Sequence, residues 1–109
     1  MKKLITSFLL LTLPLQVSAY DIAVANADGV TIYYNYYNNG TELEVTYKTA
    51  NYKSYSGAIT IPEEVIYMGR TRKVTSIGNR AFYYCSDLTS VNIPKSLICL
   101  GDSAFSWCI

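Results

Sequence analysis

Two stretches of the chain repeat one another at a fixed distance, and that spacing restricts the available folds more than any other feature. "VTSIGNRAFYYC", beginning at Val74, aligns with "LICLGDSAFSWC", beginning at Leu97, at a constant 23-residue offset. Val74 matches Leu97, Ile77 matches Leu100, Gly78 matches Gly101, Ala81 matches Ala104, Phe82 matches Phe105 and Cys85 matches Cys108. Between the copies, "SDLTSVNIPKS" carries Leu88, Val91 and Ile93 at the apolar spacing of a short strand with its bend. A unit this short cannot enclose its own core, so it must bury its apolar face against neighbouring units. The aliphatic positions should then form continuous ladders, and Phe82 and Phe105 should stack as interior aromatics. Gly78 and Gly101 should permit a tight corner. "NRAFYYC" and "DSAFSWC" are expected to form a single helical or 3₁₀ turn each, capped by the side-chain oxygens of Asn79 and Asp102.

Upstream of the repeat the pattern is that of strands. Eleven Tyr residues, together with Val, Ile and Thr, favour half-buried pleated surfaces. In "GVTIYYNYYNNGTELEVTYK", Val30, Ile32, Tyr34 and Tyr36 share one face of a first run, and Leu43, Val45 and Tyr47 share one face of a second. Asn38-Asn39-Gly40 between them predicts a hairpin, because the turn residues must tolerate positive φ. "TANYKSYSG" reads as a polar connecting loop. "AITIP" reads as a short strand ended by Pro62, and its Ile-Pro echoes Ile93-Pro94 across a 32-residue displacement. "EVIYMGRTRKVTSI" predicts a second hairpin turning near Met68-Gly69, and this insertion accounts for the displacement exceeding the repeat period.

The first residues set the compartment. Met1-Lys2-Lys3 is a basic start, Leu4 to Leu15 is an apolar run, and Val17-Ser18-Ala19 is a small-residue exit. This is the order of a secretory signal peptide over residues 1–19, with cleavage expected after Ala19. The run is too short to span a bilayer comfortably, so no membrane span is expected after cleavage. Without Lys2 and Lys3, seven basic residues face eight acidic ones, a balance that gives no steering field for nucleic acid. The chain has no His, which removes the commonest general base and metal ligand.

"VTSIGNRAFYYCSDLTSVNIPKSLICLGDSAFSWC" resembles the BspA-like leucine-rich repeat, whose unit has the order I-G-x-x-A-F-x-x-C-x-x-L-x-x-V-x-I-P. Ile77, Gly78, Ala81, Phe82, Cys85, Leu88, Val91, Ile93 and Pro94 fill the signature positions, and Leu100 stands where Ile is usual in the second copy. The Tyr-rich hairpin and the hairpin near Gly69 resemble the β-rich lead-in of exported members from Bacteroides-like bacteria. The resemblance is strong over residues 57–108 and weaker over 20–56. It implies a solenoid displayed outside the cytoplasm, in proteins associated with attachment to host matrix proteins, other bacteria or host cells. It implies no catalytic residue.

Candidate sites are few. Export makes a disulfide between Cys85 and Cys108 feasible, since stacked positions lie within bridging range. The alternative is that both are buried thiols, as the repeat pattern itself suggests, and both readings stay open. Cys99 is expected to pack against the core, and three Cys without His make a poor zinc site. Alternation sends Tyr34 and Tyr36 to one face and Tyr33 and Tyr37 to the other, so one pair should pack inward and the other stand exposed. Exposed Tyr33 and Tyr37 would suit protein contact or sugar stacking, against the plainer reading of ordinary cross-strand packing. Arg70, Arg72 and Lys73 form a basic cluster, read as a solvated hairpin edge that resists strand addition, with contact to an acidic ligand as the alternative through Arg70 and Arg72. Glu63-Glu64 on an extended segment point to opposite faces and cannot flank one glycosidic bond.

The chain is therefore expected to be mainly β: a signal peptide (1–19), an N-terminal β-hairpin cap (20–56), and an incomplete leucine-rich-repeat solenoid (57–109). It should be an exported, surface or secreted module in or outside a Gram-negative envelope, taking a protein or glycan ligand, without cofactor or enzymatic activity. The alternative is a truncated structural fragment. Because the second copy stops after Cys108, its last coil should be uncovered, making the chain marginally stable or self-associating.

Overall fold

The computed structural model describes residues 19–108; the expected leader, up to residue 18, lies outside the described residues. Eight strands make up the regular structure: β1 (Ile22–Ala25), β2 (Thr31–Tyr37), β3 (Glu42–Thr46), β4 (Gly57–Thr60), β5 (Glu64–Tyr67), β6 (Arg70–Ile77), β7 (Leu88–Asn92) and β8 (Cys99–Leu100). No helix occurs among the described residues, and so none is long and apolar enough to cross a membrane.

β1, β2 and β3 form an antiparallel meander. Its second turn holds Asn38, Asn39 and Gly40 at φ of 49°, 57° and 81°, a conformation open to Asn and Gly at little cost. β3 then pairs in parallel with β6, and β6 pairs in parallel with β8. Val45, Ile77 and Leu100 are thereby successive partners across three strands. The same stacking recurs one residue later: the Gly78 N–H donates to the Val45 carbonyl at 2.8 Å, and the Gly101 N–H to the Ile77 carbonyl at 2.7 Å. The hairpin strand thus supplies the rung on which the first repeated strand is laid.

β5 folds back antiparallel on β6 through Met68 and Gly69, at φ of 52° and 75°. β5 and β8 therefore share one side of β6, with β3 along the other. Arg70 and Arg72 pair only with β5, through Tyr67 and Val65, so that end of β6 keeps one unpaired side, whereas Lys73 is paired with Glu64 on one side and Glu42 on the other. A separate two-stranded parallel sheet joins β4 to β7, with Ile59 opposite Val91 and Thr60 opposite Asn92. That register is the 32-residue displacement seen in the sequence.

The core runs between these sheets. Ile32, Tyr34, Leu43, Val45, Ile59, Val74, Ile77, Ala81, Phe82 and Cys85 are all buried. Tyr55, in the polar loop before β4, is also 4 % exposed and belongs to the core. Its hydroxyl donates to the Thr46 carbonyl and accepts from the Tyr33 N–H, which removes the penalty of burying a phenol. Loop composition hid this residue, because two Tyr among Asn, Lys and Ser carry no periodicity.

The segments after Gly78 and Gly101 are not helical, which corrects the expected helical or 3₁₀ turns. Arg80 and Tyr84 stand at φ of 59° and 57°, and their counterparts in the second copy, Ser103 and Trp107, at 56° and 62°. Left-handed residues four apart forbid a helical run. The backbone donors are shared out alternately instead. Ala81, Tyr83 and Cys85 donate three residues back, while Arg80, Phe82 and Tyr84 donate across to the carbonyls of Asp102, Ala104 and Ser106. Nor do Asn79 and Asp102 cap their own turns: the Asn79 Oδ1 accepts from the Asp102 N–H at 2.7 Å and ties one turn to the next.

Burial falls away toward the end of the stack. Phe82 is fully buried, whereas Phe105 is 36 % exposed and Leu100 62 %. Phe105 is thus not interior, although its ring stacks on Phe82 at 4.9 Å and 3°. Cys99, expected in the core, is exposed on β8 for the same reason: no strand covers that side among the described residues.

Candidate functional site

Each proposed contact residue has a different neighbourhood. Tyr33 is half-buried between Tyr20 and Tyr55, with ring centroids 4.8 and 6.0 Å away. Tyr37 is half-buried too, with its hydroxyl directed at the Cys99 Sγ at 3.8 Å, a contact that pushes the phenol pKa up. On the opposite face Tyr34 is fully buried, and Tyr36 is 42 % exposed. The expected division into one buried and one exposed pair therefore fails. The β2 face runs from core to solvent along its length, so burial follows position along the strand as well as alternation. Arg72 lies over the Tyr36 ring at 4.8 Å and its Nε donates to the Gly40 carbonyl at 2.7 Å, clipping β6 to the first hairpin. Arg70 is exposed at the second hairpin. The structure does not bring Tyr33, Tyr37, Arg70 and Arg72 into one site.

The aromatic residues are instead sorted into two series. The inner one runs Tyr20, Tyr33, Tyr55, Phe82 and Phe105, with successive centroids 4.8 to 6.0 Å apart. It crosses from the first hairpin to the last turn and serves packing. The outer one runs Tyr47, Tyr52, Tyr83, Tyr84 and Trp107, at 4.7, 4.8, 4.6 and 5.8 Å. Its far end is open to solvent, with Tyr84 41 % and Trp107 58 % exposed. Most of its pairs are tilted or edge-on, the arrangement favoured by ring quadrupoles, while Tyr84 and Trp107 stack at 18°.

Arg80 lies over the Tyr83 ring at 5.1 Å. Tyr52 first, and then Tyr83, hold its guanidinium above the ordinary arginine pKa. Beside it, Tyr47, Tyr52, Asn79, Arg80, Asp102 and Ser103 line an open pocket of about 360 Å³. The backbone explains how the strip is presented. Tyr52, Tyr84 and Trp107 are left-handed residues, a conformation costing about 1–2 kcal/mol with a side chain present and cheapest for Gly or Asn. The same conformation recurs at Arg80 and Ser103, so at Tyr84 and Trp107 it belongs to the two matching turns. The repeat held a signal for this strip: Tyr84 and Trp107 occupy the same place in the two copies, outside the signature positions.

Two other surfaces are present. A polar groove of about 360 Å³ lies along β3, β6 and β8, where Tyr37, Glu44, Asn79 and Cys99 meet. Burial pushes the Glu44 carboxyl up. An apolar cleft of about 590 Å³ at the end of the stack is lined by Leu88, Val91, Ile93, Leu97, Leu100 and Phe105. Cys85, Cys99 and Cys108 are free thiols, so the bridge between Cys85 and Cys108 is not formed. The Cys108 Sγ donates to the Phe82 carbonyl at 2.9 Å, and burial pushes the Cys85 thiol up, away from reactivity.

A family model described as BspA type leucine rich repeat region (6 copies) matches residues 52–109, just over half of the chain. No curated protein and no solved structure matches it.

Proposed function

We propose that this chain, which belongs to the BspA-type leucine-rich-repeat family, is an exported binding module whose partner-facing surface is the outer aromatic strip. Family membership supports the general part, since such repeats are protein-interaction modules, often on surfaces or secreted, and generally without enzymatic activity. The exposed Tyr84 and Trp107, continued inward by Tyr83 and Tyr52 and flanked by Arg80, carry the particular part. Tyr, Trp and Arg are the side chains enriched in binding hot spots, and Tyr and Trp bury much area at little rotamer cost.

In this reading residues 57–109 are coils of a solenoid with a 23-residue period, and residues 20–56 are its cap. The stacking of Phe82 on Phe105 and the paired left-handed residues support that geometry. The apolar cleft beside Phe105 is then a stacking surface, for a further coil or for a second molecule.

The reading has two tests. Exported with its own leader, the mature protein should begin at Tyr20, as read by terminal sequencing or intact mass; retention of residues 1–19 in the exported product would remove the signal-peptide assignment. Binding should then be measured on immobilised extracellular-matrix proteins. Trp107→Ala and Tyr84→Ala should each weaken adhesion about tenfold, with stability lowered by about 1 kcal/mol for the lost ring pair. Equal adhesion by both variants and the parent would remove the strip from the binding surface.

A further inference from the structure

We infer that the pocket bounded by Tyr47, Tyr52, Asn79, Arg80, Asp102 and Ser103 receives a sugar unit of a neutral glycan, whose chain continues over Tyr83, Tyr84 and Trp107. The inference rests on the strip being the binding surface and adds the chemical class of what it binds.

Arg80 only donates, Asp102 as a carboxylate only accepts, and Ser103 does both. Asn79 already uses its Oδ1 on the Asp102 N–H, so what it offers a ligand is its amide NH2 group. A ring of sugar hydroxyls, each both donor and acceptor, suits this mixed set. The charges decide between ligand types. Arg80 and Asp102 line the same pocket with opposite signs, so no net charge selects an anion. Nucleic acid could stack its bases on the strip, but it needs a basic groove along its phosphates. Net charge near zero and a single arginine beside a carboxylate do not provide one.

Shape supports the same class. The pocket volume of about 360 Å³ lies in the lower part of the range for small-ligand sites. Tyr47 and Tyr52 wall it at 58° to one another, and the exposed rings beyond it are those of Tyr84 and Trp107. Aromatic faces take up the C–H faces of sugar rings, while polar groups beside them read the hydroxyls. A peptide hot spot centres on a dry apolar pocket ringed by polar groups. Here the order is reversed: the pocket is polar and the aromatic surface runs outward from it. The left-handed backbone of Tyr52, Tyr84 and Trp107 holds the strip in this arrangement before any ligand arrives.

The experiment uses the full mature chain on immobilised dextran, mannan and a β-glucan, with alginate as the carboxylated comparison. In parallel, matrix glycoproteins are offered before and after enzymatic removal of their sugars. At least one neutral polysaccharide should retain the chain. Trp107→Ala and Asp102→Asn should each weaken retention about tenfold, while Tyr36→Ala, on the other hairpin surface, should leave it unchanged. Loss of glycoprotein binding on sugar removal would place the ligand on a protein-borne glycan; free polysaccharide bound alone would place it on a polysaccharide. Retention by alginate alone, retention indifferent to Trp107→Ala, or no retention by any of these glycans overturns the inference. If sugar-stripped matrix protein still binds, and Trp107→Ala still abolishes that binding, the glycan is wrong while the strip remains the binding surface.

Discussion

Phe82→Ala should lower the stability of the fold by about 3–5 kcal/mol, the range for removing a fully buried aromatic ring. Phe82 is 0 % exposed and is the junction of the inner aromatic series, with Tyr55 on one side at 4.8 Å and Phe105 on the other at 4.9 Å. Truncation would open a cavity between three elements: the loop before β4, the first turn and the last turn. At about 0.05–0.15 kcal/mol per residue for a folded domain, such a loss is a large fraction of the whole. Urea unfolding of the mature chain should show the midpoint falling by more than about 1 M, or no cooperative transition at all. Phe105→Ala is the internal comparison. Its ring has the same partner but is partly open to water, so the loss should be well under half as large. Equal losses at the two positions would mean that the last turn is as well packed as the first, against the fall in burial along the stack.

Gly101→Ala should cost more stability than Gly78→Ala, its counterpart in the first turn. A Cβ at Gly101 would lie 2.5 Å from the Asn79 backbone nitrogen and 2.6 Å from both the Asn79 Oδ1 and the Gly78 carbonyl carbon. Two of those three atoms are backbone, so relief requires the two turns to separate. Separation would lengthen the Gly101 bond to the Ile77 carbonyl and the Asp102 bond to Asn79, both 2.7 Å long. The expected cost is about 1–3 kcal/mol, as for other overpacked sites. Gly78→Ala meets only the Glu44 side chain, its nearest atom at 2.7 Å, and that half-exposed side chain can turn away. Urea midpoints and amide exchange at Asp102 should therefore separate the two substitutions. If Gly101→Ala is as stable as the parent, the close approach of the two turns is not a constraint on the fold.

Neither glycine has the positive φ that would otherwise account for it. The repeat pattern located both residues correctly, but its explanation by a tight corner was incomplete. Gly101 is small because the backbone of the Gly78–Asn79 turn passes over it. A sequence marks that a position is glycine, whereas the neighbour that would collide with a methyl group belongs to the preceding copy of the repeat. The aromatic residues divide in the same manner. Phe82 and Phe105 were legible as a stacked pair because they share a place in the repeat. Tyr55 was not legible as core, nor Tyr52, Tyr83 and Tyr84 as one surface, because their meeting depends on how a loop lies against a turn. The Tyr33 and Tyr37 site expected from strand alternation dissolved for a related reason. Alternation assigns a face, but what covers that face is decided by other elements.

The two hairpins, the pairing of the Ile-Pro strands at their displacement and the leucine-rich-repeat family of residues 52–109 were legible in the chain itself. These follow from local rules: turn residues that tolerate positive φ, alternation on pleated strands, and a unit too short to bury itself. Tertiary structure alone decided that β3 is the rung beneath β6, that the turns are left-handed ladders instead of helices, and that one aromatic series is packed while the other faces solvent. The reason is physical. Half of the backbone donors that a helix would satisfy within itself are satisfied here by the next turn, and a ring is core or surface according to whether another turn covers it.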